Sequence, residues 1–221
     1  MISDIILIGP VKAGKSTLAK LLSARLGLPR CSLDRHLGYY REAGYDESRA
    51  DRIISREGLE GVYRYRKPFD LAVVERVLAE NDGCVFDFGA CHSVYEDARL
   101  LTRARGLLRP YRNVVLVMPS RDAAESVRVL KGRGCLTTVG GFDLCVHFVK
   151  HPANFELAKF VVYTEGKTPE ESRDEILSLT GLAESISTQG GSPVARRGSS
   201  SRGRAASSRR LTARPTACGR R

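Results

Sequence analysis

Residues 9–16 read Gly9-Pro10-Val11-Lys12-Ala13-Gly14-Lys15-Ser16, a match to G-x-x-x-x-G-K-[ST] at every fixed position. The stretch constrains the fold strongly, because its chemistry works only where a buried strand hands the chain to a helix N-terminus. Both neighbours have that character. Asp4-Ile5-Ile6-Leu7-Ile8 is an apolar run ended by glycine, the pattern of a strand buried on both faces. Leu18, Leu21, Leu22 and Leu26 then recur at helical spacing, and Gly27 is a stop signal. Gly9 and Gly14 let the backbone wind closely around phosphates, where a Cβ would interfere. Successive N–H groups and the helix N-terminus face the anion. Lys15 supplies a point charge for the β- and γ-phosphates, and the Ser16 hydroxyl is placed to hold Mg²⁺. The expected ligand is ATP with magnesium, cradled by Gly9 to Ser16 and by Thr17 just beyond.

Strands and helices alternate along the rest of the chain. Cys31-Ser32-Leu33 predicts a short second strand with Asp34 at its end. Residues 35–66 are irregular, basic and rich in tyrosine, and read as helical pieces of an insertion covering a substrate. Pro68 is expected to open a helix over Phe69 to Leu78. Cys84 to Phe88 is a third strand followed by a Gly89-Ala90 turn, and a helix is expected from about Glu96 to Leu108. Val114 to Met118 is a fourth strand closed by Pro119, and Ser120 is the expected N-cap of a helix reaching Lys131. Phe160 to Tyr163 is a fifth strand, and Thr168-Pro169-Glu170-Glu171 begins a last helix ending near Leu179. This alternation implies a parallel sheet covered on both faces.

Charge divides the chain at its C-terminal end. The formal net charge is +11, and nine arginines with no acidic residue follow Ser185, so the body up to 184 carries only +2. Residues 184–221 are rich in Ser, Arg, Ala and Gly and lack the aromatics needed for a core, so they are expected to be a disordered tail behind a 1–183 domain. Three readings of the tail compete: an RNA- or anion-binding arm, a solvated extension without function, or the product of a shifted reading frame in GC-rich DNA. The six cysteines are scattered with no CxxC pair, as expected of reduced thiols. No run of about 18 apolar residues occurs, and Asp4 precedes the apolar start where a signal peptide would be basic. A cytoplasmic monomer without a membrane partner is the expectation.

Two carboxylates stand out. Asp87 ends the third strand, where it can reach Mg²⁺ or an acceptor, or serve only as a turn aspartate. Asp34 ends the second strand on the same carboxyl edge, where ligands bind in open α/β sheets. It can accept a proton from a hydroxyl or cap a helix starting at Arg35. His92, beside Ser93 and Tyr95, would lie near that acceptor and contact it, or be an ordinary loop histidine. Tyr39, Tyr40, Tyr45, Tyr63 and Tyr65 can line an organic acceptor or pack the insertion onto the sheet. His147 and His151 would share a helix face, without a third metal ligand in view.

The stretch Ile5 to Asp34, with Gly9-Pro10-Val11-Lys12-Ala13-Gly14-Lys15-Ser16-Thr17 followed by Leu26-Gly27-Leu28-Pro29 and a strand-end Asp34, resembles the start of shikimate kinases. Tyr63-Arg64, Gly89, the run Arg128, Lys131 and Arg133, and the passage Thr164 to Ile176 fall in the family's order. The resemblance implies a three-layer P-loop NTPase fold with strand order 2-3-1-4-5, a mobile lid, and ATP-dependent phosphorylation of a small hydroxylated acceptor. It implies that Asp34 serves the acceptor hydroxyl, Arg64 grips the substrate carboxylate, Gly89 begins the substrate-contacting glycine triplet, and Arg133 is a lid arginine over the phosphates. The chain departs from the family at two places. Ser32 stands where the family has the first aspartate of D-x-D, a magnesium-holding group that Asp87 would have to replace. The glycine triplet is Gly89-Ala90-Cys91. These departures leave an acceptor other than shikimate open. They also leave open an ATPase or nucleotide switch without an acceptor, and a nucleic-acid-associated ATPase using the tail.

Overall fold

A computed structural model describes residues 4–135, 138–139 and 141–183, so the expectation for the tail from 184 onward lies outside the described residues. Strand β1 (Ile5–Ile8) sits at the centre of the sheet with all four residues buried. Each such side chain is worth roughly 2 kcal/mol once removed from water, which explains why four consecutive apolar residues suffice to anchor the loop that follows. Around it lie β2 (Arg30–Ser32), β3 (Val85–Asp87), β4 (Asn113–Met118) and β5 (Phe160–Tyr163). All pairings are parallel, and the order is β2-β3-β1-β4-β5, as the resemblance implies.

Helix α1 (Lys15–Leu26) ends at Gly27, whose φ of 69° is the left-handed stop the sequence predicts. It packs on β1 to β3 and against the last helix, Pro169–Leu179. A 3-10 turn over Leu33–Arg35 follows β2, and α2 (Leu37–Glu42) follows the turn.

Residues 35–66, expected to form helical pieces of an insertion, are largely helical. Helix α3 (Glu47–Glu80) runs through them and bends at Gly58, with φ 69° and ψ −164°. Pro68 therefore does not open a helix: it lies inside α3, and the break is upstream at Gly58. The helix continues past its missing N–H because Leu71, Val73, Val74 and Val77 beyond it are buried in the core.

Helix α4 (Ala98–Leu108) starts two residues later than expected because Asp97 accepts from the backbone N–H groups of Arg99 and Leu100. Helix α5 (Ala123–Gly132) is capped by Asp122 and not by Ser120. The Ser120 hydroxyl accepts from the Asp122 N–H, and the Ser120 N–H donates to Ser126 Oγ. After α5 comes a short antiparallel pair, Thr138–Val139 with Phe142–Asp143, followed by α6 (Leu144–Lys150) and α7 (Ala153–Leu157). The last helix, α8 (Pro169–Leu179), opens with a capping box between Thr168 and Glu171. The described cysteines (31, 84, 91, 135 and 145) are free thiols, and no described helix is long and apolar enough to cross a membrane.

Candidate active site on the carboxyl edge of the sheet

The loop after β1 is shaped by its glycines. At Gly9, φ is 133°, and a Cβ there would lie 2.4 Å from the carbonyl oxygen of Val117 on β4, so no other residue fits. Gly14, at φ 101°, is the N-cap of α1, with no side-chain cap bond and no acidic residue in the first turn. The positive end of α1 is thus turned onto the loop. Lys15 is 7% exposed, and its Nζ donates to the carbonyls of Gly9 at 2.8 Å and Pro10 at 2.7 Å. Burial lowers its ammonium to about 8, against the opposing fields of Asp87 and Asp34.

Asp87 closes β3 beside this lysine. It pairs in register with Leu7 on one side and Ser32 on the other, so Ser32 and Asp87 share the edge where the family carries its D-x-D. Asp87 is 4% exposed. Burial raises its carboxyl, opposed by the Ser16 hydroxyl, Lys15 and Arg30. Ser16 itself is exposed. The pair offers hard oxygen donors of the kind Mg²⁺ takes while it keeps water and phosphate oxygens, so the residues present fit that ion.

Asp34 lies in the 3-10 turn and is exposed, while the helix after it begins at Leu37 with His36 at its cap. Asp34 is therefore not a helix cap. Its carboxylate rests against Gly89: a Cβ at Gly89 would meet Asp34 Oδ1 at 2.3 Å and His92 Nδ1 at 2.8 Å. Lys15, Asp34, Asp87 and Gly89 are thus brought to one edge. Arg64 is not among them. Its side chain is 69% exposed and ion-paired with Glu60. The following arginine on the same helix, Arg66, lies over the Tyr40 ring at 4.5 Å and donates to Asp70 at 3.0 Å.

A cavity of about 290 Å³ opens beside the loop. Its walls are Lys12 to Gly14, Thr17 and Leu18, with Arg133 and the segment from Thr164 to Ser172 opposite. Arg133 donates to the Lys12 carbonyl at 3.3 Å, which ties the end of α5 to the loop. Thr164 Oγ1 is buried without a hydrogen-bond partner.

Several features escaped sequence reasoning. Lys67 is 3% exposed, and its Nζ donates to the carbonyls of Cys91 at 2.7 Å and Val94 at 2.9 Å. Asp70 is fully buried. Its Oδ2 makes no hydrogen bond and is compensated by the Lys67 ammonium 3.3 Å away. In the sequence Asp70 reads as an ordinary member of the helix expected from Phe69, and Lys67 as a charge just before it, and only the tertiary fold shows their burial. Glu96 meets His147 at 2.6 Å and lies 3.9 Å from His151, a third group that spacing along the chain could not reveal. His151 Nδ1 accepts from the Ala153 N–H, however, which leaves the proton on Nε2 and the ring unsuited to ligate a metal there.

No protein-family model matches the chain, and no curated protein matches it. Solved structures do. A shikimate kinase from Acinetobacter baumannii in complex with shikimate is similar, with a TM-score of 0.52 and 19% identity, covering 84% of this chain and 94% of that one. A shikimate kinase from Bacteroides thetaiotaomicron gives a TM-score of 0.50 at 17% identity, over 81% of this chain and 99% of the other. At such identities the likeness shows the fold: the chain has the fold of small-molecule P-loop kinases.

Proposed function

We propose that the protein transfers the γ-phosphoryl group of Mg-ATP to a hydroxyl of a small organic acceptor. One observation carries the reading: the phosphate loop leaves β1 beside Asp87, which pairs with Leu7, and the Asp34 carboxylate rests against Gly89 two residues further on, where a Cβ would meet its Oδ1 at 2.3 Å. In this reading Gly9 to Thr17 hold the phosphates, and the cavity between the loop and residues 164–172 takes the nucleoside. Ser16 and Asp87 would hold Mg²⁺, which supplies neutralising charge to the phosphates when bound. Lys15 and Arg133 counter the charge that develops on the transferring group. Asp34 orients the acceptor hydroxyl and takes its proton. Gly89 permits the approach of Asp34, and Arg66 takes the place on the acceptor side that the resemblance gives to Arg64.

The test is incubation with Mg-ATP and hydroxy acids, sugars, nucleosides and nucleoside monophosphates. Accelerated ADP release with one acceptor, lost in Asp34→Asn while ATP still binds, is the expected result. Hydrolysis that no acceptor accelerates would overturn the reading in favour of the ATPase or nucleotide switch that Ser32 motivates.

A further inference from the structure

The acceptor side contains a buried relay that the proposed reaction does not yet use. His92 follows Gly89 in a 3-10 turn, Ala90–Ser93, and is 1% exposed. Its Nε2 lies 2.8 Å from the Tyr40 hydroxyl, and that hydroxyl donates to Asp70 Oδ1 at 2.8 Å. Asp70 is flanked by the Arg66 guanidinium and the Lys67 ammonium, so its carboxylate is an acceptor. A tyrosine has one proton to donate. With that proton on Asp70, the Tyr40 oxygen can only accept from His92, which assigns the ring proton to Nε2. The neutral ring therefore presents an unprotonated Nδ1.

That Nδ1 and Asp34 Oδ1 both reach the point where a Gly89 side chain would begin. The one other polar atom near Nδ1 among the described hydrogen bonds is Cys91 Sγ at 3.9 Å, a weak partner. Burial lowers the imidazole, although Asp70 and Asp34 pull it up. Arg66 and Lys67 lower it further, so the neutral form is favoured from all sides except the two carboxylates.

We propose that His92 is a specificity-determining residue of the acceptor site, its Nδ1 and the Asp34 carboxylate forming a pair of hydrogen-bond acceptors across Gly89 that selects a hydroxyl group and rejects an anionic oxygen. Tyr40 and Asp70 are positioning residues that fix the ring in this tautomer. The inference rests on the phosphotransferase reading and narrows it. Two proton-free acceptors complement a donor, and a phosphate monoester oxygen would meet the Asp34 charge and the imidazole lone pair together.

Two measurements test this. Long-range ¹H–¹⁵N spectra of the full chain, with the four histidines assigned by single His→Gln variants, should show His92 as the Nε2–H tautomer. Tyr40→Phe should populate the second tautomer. An Nδ1–H ring in the unaltered protein overturns the proposal, and this needs neither an acceptor nor a variant that folds well. In the Mg-ATP panel, His92→Gln should raise KM for the responding hydroxyl compound about tenfold, the loss of one good hydrogen bond, with KM for ATP unchanged. An unchanged acceptor KM, or preferential phosphorylation of a nucleoside monophosphate on its phosphate, overturns the role of His92 and leaves the phosphotransferase reading standing. Bound Mg-ATP with the expected tautomer and no responding acceptor overturns both.

Discussion

The nucleotide side and the acceptor side of the sheet edge are built from very different lengths of chain. Gly9 to Thr17 form a single contiguous loop, fixed by the backbone demands of two glycines and by the strand before it. The acceptor side assembles Asp34, Tyr40, Arg66, Lys67, Asp70, Gly89 and His92 from a 3-10 turn, two helices and the segment after β3. In the proposed reading the first recognises an anion with backbone N–H groups and one lysine, so little of it depends on distant packing. The second depends on buried side chains that hold one another, and a change anywhere in the set reaches the others.

If the two sides act separately, their variants should separate too. Asp34→Asn is expected to have the largest effect, slowing acceptor-dependent ADP release roughly 10³-fold through loss of the hydroxyl's base. Calorimetric affinity for Mg-ATP should stay the same, and a matching loss there would break the distinction. Lys15→Ala should weaken nucleotide binding or turnover about 10²-fold, and unchanged ATP behaviour in that variant would overturn the whole assignment.

A smaller effect probes how the acceptor side is held. Lys67→Met removes the partner of Asp70 Oδ2 and two carbonyl bonds, while Arg66 still compensates Asp70 in part. Unfolding in urea should show a loss of about 2 kcal/mol, with Mg-ATP affinity of the folded protein unchanged.

The same contrast explains what the sequence could disclose. The loop, the five strands and the Gly27 and Thr168 boundaries follow from local backbone chemistry, so they were legible. Pro68 misled, because the apolar residues after it pack the helix into the core regardless of the missing N–H, and the true bend at Gly58 carries no signal beyond a glycine. Ser120 misled because a better cap, Asp122, lies two residues on. Lys67 and Asp70 were invisible, since nothing in a helical pattern says that an exposed-looking charge pair is roofed by the turn after β3. Asp34, Asp87 and Gly89 stand on one edge because the parallel strands end there together, a placement that topology makes readable. Arg64 shows the limit of that logic, because which of two nearby arginines turns inward depends on helix phase.

The smallest effect is also the one that divides the two sides by chemistry. Burial brings Lys15 down to about 8, with Asp87 and Asp34 opposing. Phosphate oxygens placed beside the ammonium must raise it again, so binding of Mg-ATP near pH 8 should take up about half a proton. The nucleotide phosphates are already fully ionised there and cannot be the source of the change. Affinity should therefore fall by up to about tenfold between pH 8 and pH 9, and calorimetry in two buffers of different ionisation enthalpy reads the proton directly. Lys15→Arg should abolish the uptake, because a guanidinium does not titrate in this range. On the acceptor side burial pushes the Cys91 thiol up to about 12, raises Tyr40 and lowers His92. None of these changes charge between pH 8 and pH 9, so KM for the acceptor should stay flat while KM for ATP climbs. An acceptor KM that climbs in parallel would mean that the two sides share a titrating group, and Lys15, which senses Asp34 across the edge, is the residue through which they would share it.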